Sequence, residues 1–472
     1  MGSGGGARLR LIAMVAIAHL GVAFLGLRIA AADTLEWALG QAYQNNPTLN
    51  AQRAAARAQD EGVPQALSGY RPRASLTASV APTNQKTLVK SGGVYQESNA
   101  QFTPHAVGVT VTQTLFNGYQ TANRTRQAEA QVSAGRATLA FTEEQILLNA
   151  ATAYMNLLRD TAILDLQRRN VEVLQEQLRQ TRDRFNVGEV TRTDVAQAES
   201  RLAAGRSQVL TAESNYVSSK AIYRQTIGVE PGKLAPATPV DRLSPRTLNE
   251  AIATGREFNP AVATAMFGID AALLQVKINE GALLPTVTAT ANVQQAWEPS
   301  VSTNATVLQQ FSASLLAQVT VPIYQGGAEY SLIRQAKETL GQQRISLETA
   351  RDQVQSNVVQ AWGQLEAAKA QIQATQAQVN AAEIALNGVR EEARVGQRTT
   401  LDVLNAQQEL VNARVALVTA QRDRVVASYT LLTAVGGLYA VGLGLKVPIY
   451  DPTTHYQQVR DAWAGTRTPD GR

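Results

Sequence analysis

Little in this 472-residue chain can make or break bonds. Cysteine is absent, and the three histidines, His19, His105 and His455, are too scattered to suggest a nucleophile–base triad or a metal cluster. The missing thiols also remove disulfides, thiolate zinc ligation and a cysteine-linked lipid anchor. No catalytic, cofactor-binding or metal-binding residue is therefore expected, and the chain is not expected to be an enzyme. The titratable residues that do recur in a pattern are two acids. Asp194 and Asp402 each stand three residues after a threonine, Thr191 and Thr399, and each threonine follows a Val-Gly pair, Val187-Gly188 and Val395-Gly396. A carboxylate just past a turn suits the positive end of a helix. The chemistry on offer is electrostatic rather than covalent.

Turns of this kind need helices on both sides, and the sequence supplies long ones. Tyr119 to Asn186 contains no proline, which predicts a helix of about 100 Å if it is continuous. Leu157, Leu164, Val171, Leu178 and Phe185 recur every seven residues, and Leu365, Ile372, Val379, Leu386 and Ala393 repeat the stripe later. Val195, Leu202, Val209, Tyr216 and Tyr223 do so on the first return segment, and Val403, Leu410 and Leu417 on the second, where Arg424 interrupts before Leu431. Sevenfold spacing predicts left-handed coiled-coil packing. Each return segment is only about half as long as its partner, so a shorter helix stacked end to end is expected to complete it.

The stripes recur because the chain repeats itself. Thr34 to Pro47 returns as Thr247 to Pro260, and Pro72 as Pro285, at an offset of 213; Phe116-Asn117-Gly118 returns as Tyr324-Gln325-Gly326, and Asp194-Val195 as Asp402-Val403, at 208. Two copies of one unit are expected, residues 33–240 and 241–445, differing mainly in one loop, with a tail at 446–472. Each copy opens with a helix-like segment, Asn50 to Tyr70 or Ala263 to Leu284, before the period changes to two. Ala74, Leu76, Ala78 and Val80 alternate with Ser75, Thr77 and Ser79; Val107, Val109 and Val111 alternate with Gly108, Thr110 and Thr112 after a Gly-bearing loop. In the second copy Val287, Ala289, Ala291 and Val293 share one face, as do Phe311, Ala313, Leu315, Ala317 and Val319.

Four strands with one apolar and one small polar face, aromatics near their ends (Tyr70, Phe116, Trp297, Phe311, Tyr324) and no matching apolar slab beside them predict an outer-membrane barrel. Four cannot close in lipid, so an oligomer is required. Two chains would give eight strands with an interior filled by side chains; three give twelve and an open lumen, which the small inward side chains favour.

Export is also written in the sequence. Residues 1–32 carry Arg8 and Arg10, an apolar run from Leu11 to Leu27, and Ala30-Ala31-Ala32, the pattern of a signal peptide cleaved near Ala32. Its removal takes three arginines and no acid, lowering the net charge from +5 to +2. Arginines alternate with acids rather than cluster, so nucleic acid is not an expected partner. Val425 to Leu445 is uncharged and long enough to suggest a spanning helix, but the repeat aligns its first half with a segment holding Lys220 and Arg224, which argues against one.

Taken together, Phe185-Asn186-Val187-Gly188 leading to Thr193-Asp194-Val195, and Val395-Gly396-Gln397-Arg398-Thr399 leading to Leu401-Asp402-Val403-Leu404-Asn405-Ala406, resemble the TolC family of outer-membrane efflux and secretion channels over about residues 33 to 440. The resemblance implies a homotrimer in the cell outer membrane: a twelve-stranded β-barrel, four strands per chain, continuous with a twelve-helix periplasmic α-barrel of coiled-coil hairpins. It implies a passive exit duct for efflux or type I secretion, docked to a periplasmic adaptor (membrane fusion) protein and through it to an inner-membrane pump or ABC exporter. By the same resemblance Asp402 lines a lumen constriction, with Asn405 where a second acid is expected, so cation selectivity is weakened. Arg398 becomes a gate latch with Thr193 and Asp194 as partners, while Ala393 replaces a latch tyrosine. Val187, Gly188, Thr191, Val395, Gly396 and Thr399 fall at adaptor-docking tips. The competing expectation, a periplasmic coiled-coil spacer that conducts nothing, leaves the strands unexplained. The tail is expected to wrap the outside or be partly disordered.

Overall fold

The computed structural model describes residues 33–301 and 306–469; the predicted leader lies outside them. The first copy runs α1 (Leu35–Asn45), α2 (Pro47–Asp60), α3 (Gly62–Leu67), β1 (Arg73–Val80), β2 (Thr83–Ser91), β3 (Val94–Phe102), β4 (His105–Asn117), α4 (Gln120–Asn186) and α5 (Arg192–Ile227). The second runs α6 (Leu248–Phe258), α7 (Pro260–Gly281), β5 (Thr286–Val301), β6 (Thr306–Thr320), α8 (Ala328–Arg394) and α9 (Thr400–Ala434), and α10 (Pro452–Val459) follows. Helices α4 and α8 have 67 residues each, so each spans roughly 100 Å.

One local device explains how short helices complete the half-length return helices. Each copy breaks its leading helical stretch at an Asn-Pro pair: the asparagine caps and the proline, whose missing N–H costs nothing there, takes the first helical position. Asn46 Oδ1 accepts from the N–H of Thr48 at 2.9 Å, and Asn259 Oδ1 from that of Ala261 at 2.9 Å. Both asparagines turn their Nδ2 the other way. Asn46 donates to the Thr226 carbonyl at the end of α5, and Asn259 to the Ala434 carbonyl at the end of α9. Each side chain thus bonds the start of a short helix to the end of a return helix and satisfies an orphan carbonyl there.

The sheet order is β1-β4-β5-β6, antiparallel throughout. Its register aligns whole rows of like residues. Ala74, Val111, Ala291 and Leu315 lie side by side, as do Leu76, Val109, Val293 and Ala313. On the opposite face Ser75, Thr110, Asn292 and Ser314 form a row, with Thr110 Oγ1 3.2 Å from Asn292 Oδ1. A one-residue slip would mix the faces, so the pattern fixes the register. The apolar face runs along β5 from Val287, paired with Phe116 and Val319, to Trp297, paired with His105. Ten tilted strand residues cover roughly 25 Å, the height of a lipid-facing band. Trp297 and His105 stack at one rim, 5.3 Å between ring centres, and Phe116 meets Tyr119 edge-on at the other.

Below the sheet, Gly118 (φ +64°) abuts Gly281 at the end of α7; a Cβ on either would strike the other's backbone. This contact seats the strands directly on the helices.

One expectation needs correction. The Gly-bearing loop of the first copy is a second hairpin: β2 pairs with β3 around Gly92-Gly93, separate from the main sheet. Its strands carry Lys86, Lys90 and Glu97 among small polar residues, so no face is apolar enough to announce a strand. The uncharged Val425–Leu445 stretch, as the repeat implied, is no single spanning helix. Val425, Tyr429, Leu431 and Leu432 are buried in the main core, α9 stops at Ala434, and the glycine-rich remainder turns. The described part of the tail, residues 446–469, follows the first of its two expected fates and packs on the outside of the helices. Helix α10 lies on α2 with His455 Nδ1 3.0 Å from the buried Asp60 carboxylate, and the Arg136 guanidinium sits over the Tyr456 ring. Beyond it Arg71 donates to the Ala462 carbonyl and covers the Trp463 ring.

The core lies at the middle of the long helices, where Leu147, Tyr154, Tyr223, Leu431 and Leu438 are fully enclosed. Here Glu143 accepts from the Ala440 N–H at 2.8 Å and Glu144 from that of Leu438, fastening the segment after α9. Burial, opposed by that hydrogen bond, pushes the Glu144 carboxyl up to about 8.

Candidate functional site at the hairpin tips

The far ends of the two hairpins hold every residue singled out by the sequence. At the first, Gly188 turns the chain with φ +82° and Gly396 does so at the second with φ +80°, each in open space. The left-handed residue lets the next amide reach back: Glu189 N–H bonds the Arg184 carbonyl at 2.9 Å, and Gln397 N–H bonds the Glu392 carbonyl at 2.9 Å. Orphan helix carbonyls are thereby satisfied.

Both return helices start with a capping box. Asp194 Oδ2 accepts from the Thr191 N–H at 2.9 Å and hydroxyl at 2.7 Å, while Asp194 N–H donates to Thr191 Oγ1. Asp402 and Thr399 repeat this at 2.9 and 2.8 Å. The same bonds hold both carboxyls below the usual range, through the Thr191 hydroxyl first at Asp194 and the Thr399 amide first at Asp402. The nearby Arg398 charge adds to the effect at Asp402. Each acid is therefore anionic and spends one oxygen on its own helix.

Arg398 has a different partner from the one the sequence suggested. Its Nε donates to Glu392 Oε2 at 2.8 Å, within its own hairpin. Thr193 is exposed and Asp194 is bonded to Thr191, and among the described residues Arg398 makes no hydrogen bond or ion pair with either. Between the tips lies a cleft of about 910 Å³ whose wall includes Arg184, Glu189, Asp194, Arg394 and Arg398. Val187 and Val395 project into solvent.

Two residues that sequence reasoning passed over do join the hairpins. Leu404 is buried among Leu174, Leu178, Ala198 and Leu202 of the first hairpin. Arg201 Nη2 donates to Asn405 Oδ1 at 2.7 Å. The signal for Leu404 was legible: it is a second apolar residue directly beside the heptad position Val403, so it must face another surface. Arg201 left no such trace.

The family model described as outer membrane efflux protein matches residues 38–229 and 252–437. The chain is similar to the outer membrane efflux protein BepC of Brucella suis biovar 1 (strain 1330), with 41% identity over 94% of each chain. It is 26% identical to the outer membrane protein TolC of Escherichia coli (strain K12), over 87% of this chain and 83% of that one. It is 24% identical to the alkaline protease secretion protein AprF of Pseudomonas aeruginosa, over 68% of this chain and 67% of that one. Among solved structures, the CmeC outer membrane channel of Campylobacter jejuni superposes with a TM-score of 0.73 at 16% identity, covering 90% of this chain and 89% of that one. The outer membrane protein VceC of Vibrio cholerae gives 0.70 at 19%, covering 85% and 96%.

Proposed function

We propose that this chain, which belongs to the outer membrane efflux protein family, is the exit duct of an export machine that spans the periplasm and opens through the outer membrane. The family fold is a trimeric twelve-stranded outer-membrane β-barrel, four strands per chain, continued by a helical barrel, and members are channels rather than enzymes. The observation that carries the reading is the four-stranded sheet: among the described residues β1 and β6 are unpaired edges, and one face is apolar over the height of a bilayer. An open edge in lipid leaves backbone groups without partners, so three copies closing edge to edge satisfy what one cannot. The other face, lined by Ser, Thr, Asn and Gln, suits water.

Maturation by cleavage near Ala32 delivers the chain to the outer membrane. The hairpin tips, with Val187, Gly188, Thr191, Val395, Gly396 and Thr399 exposed, are the docking face for a periplasmic adaptor, itself joined to an inner-membrane pump or ABC exporter. Asp402, repeated by threefold symmetry, supplies fixed negative charge at the narrow end; Asn405 adds none. Arg398 meets Thr193 or Asp194 of a neighbouring protomer, where it closes the gate. Names of relatives point to efflux in one case and protease secretion in another, so the cargo is a small compound or a polypeptide.

The test is purification from the outer-membrane fraction, sizing of the oligomer, and conductance in planar bilayers. A trimer conducting in small steps supports the duct; a monomer or a non-conducting oligomer supports the spacer alternative. Replacing Arg398 and Asp194 together should raise conductance, and an unchanged value counts against that latch. Deleting the gene and following drug sensitivity beside the secreted-protein profile separates the two cargo classes.

A further inference from the structure

The two hairpins are held together very unevenly along their length. Near the middle α9 lies against α4 within the main core, and Arg422 Nε donates to Asn156 Oδ1 at 2.8 Å. Toward the tips α9 turns its heptad residues Val403 and Leu410 to its own partner α8, where they pack with Val379 and Leu386. That half of the second hairpin has its own core and does not need the first. Yet Leu404, next to Val403, is only 3% exposed because it sits in the first hairpin's cluster. One residue further, Asn405 accepts from Arg201, the neighbour of Leu202 in that same cluster. Among the described residues, Arg201–Asn405 and Arg422–Asn156 are the side-chain hydrogen bonds between the hairpins, and Arg201 makes no ion pair.

We propose that Leu404 and the Arg201–Asn405 hydrogen bond form the tether that holds the second hairpin against the first within each protomer and keeps the tip closed. The proposal rests on the duct reading and names the part that must yield when it opens. A hairpin swinging outward about the core must withdraw the Leu404 side chain from its pocket and break the Arg201 bond. Arg398, Asp194 and Asp402 lose nothing in such a motion inside one chain, because Glu392, Thr191 and Thr399 travel with them. Asn405 suits the role: an amide oxygen accepts from a guanidinium without adding a charge to the lumen. Arg201 is a positioning residue and need not touch cargo.

The experiment is a double-mutant cycle on the full-length channel in planar bilayers. Arg201→Ala and Asn405→Ala should each raise the occupancy of the open level about fivefold, the net weight of one solvent-exposed hydrogen bond. The double variant should do no more than either single one, since both remove the same bond. Arg201→Lys, which keeps a donor, should stay near the parent. Unchanged occupancy in the single variants, or additive effects in the double, overturns the tether while leaving the duct intact. A parent that never conducts sinks the duct reading instead, and a second measurement then still decides the contact. The chain has no native cysteine, so Arg201→Cys combined with Asn405→Cys can be bridged by dibromobimane, which fluoresces on double reaction. A bridged product within the monomer band is expected, and its absence refutes the contact.

Discussion

The two copies agree almost atom for atom at the tips and disagree in the middle of their long helices. Both tips carry a left-handed glycine and a Thr–Asp capping box whose carboxylate accepts bonds of 2.7 to 2.9 Å. Even so, the ion pair beside each turn is reversed. Arg184 at the end of α4 pairs with Glu189 in the turn, whereas Glu392 at the end of α8 pairs with Arg398. Halfway up, the first copy buries Glu143 and Glu144 against the segment after α9; the aligned residues of the second are Arg351, which pairs with Glu348, and the exposed Asp352. Backbone-dictated features survive duplication because any other residue strains the turn or frays the helix. Side chains facing a neighbour drift, since each copy has a different neighbour.

The largest break in that comparison is expected at Glu144. Its folded carboxyl keeps its proton up to about 8, while an unfolded glutamate loses it near 4.3. The folded state therefore binds more protons between those values, and stability should fall as pH rises from about 4.5 to 8, by a few kcal/mol. Glu144→Gln should flatten this slope, and Asp352→Asn should leave it unchanged. Denaturation midpoints of the detergent-solubilised protein at pH 5 and pH 8 measure it; equal slopes in parent and Glu144→Gln would contradict the assignment.

Next in size is Leu404→Ala. Removing a buried leucine side chain should cost about 3 kcal/mol of hairpin docking, speed amide exchange at the tip end of α9 and raise channel conductance. At the aligned position of the first copy the chain has Ala196, exposed in α5, and Ala196→Ser should do nothing detectable. A smaller and symmetrical effect is expected at the turns. Gly188→Ala and Gly396→Ala meet no atoms but must hold φ near +80°, so each should cost about 1 kcal/mol. Thr191→Ala and Thr399→Ala should cost about as much through the lost cap. Unequal losses between the tips, followed by exchange of the first turn of α5 and α9, would mean that one box does more than cap.

The smallest effect concerns acid. Both capping carboxyls are held down in the folded chain, so their contribution is fully present above the unfolded aspartate value near 3.9 and is lost only as pH falls through the lower folded one. First-turn protection factors at the two tips, corrected for the intrinsic pH dependence of amide exchange, should be flat from pH 7 to pH 5. Fraying that begins near pH 6 would show that the boxes are not what holds these acids.

Much of this was legible before any coordinates. Sevenfold spacing announced the hairpins, and Leu157, Leu164, Leu178, Leu365, Val379 and Leu386 are indeed buried. Period-two alternation announced four strands whose rows align by register. The β2–β3 hairpin escaped because both its faces are polar, although its Gly92-Gly93 turn was a usable sign. Where the tail docks escaped because its partners, Asp60, Arg136 and Arg71, lie hundreds of residues away and carry no periodic signal. In the site, the capping boxes were readable from a three-residue spacing, whereas Arg201 and Leu404 depend on how two hairpins lean together.

The sequence by itself determined everything that repeats along the chain: helix, strand, turn, cap and the duplicated order of them. Those follow from local backbone sterics and from the apolar period, which act over a few residues. The three-dimensional structure alone decided which surfaces meet. It gave Arg398 a partner in its own hairpin, bent the tail back onto α2, buried Glu144 and set Leu404 into the other hairpin. Such pairings depend on the summed geometry of helices about 100 Å long, where a slight change of lean moves a tip by more than a hydrogen bond can span.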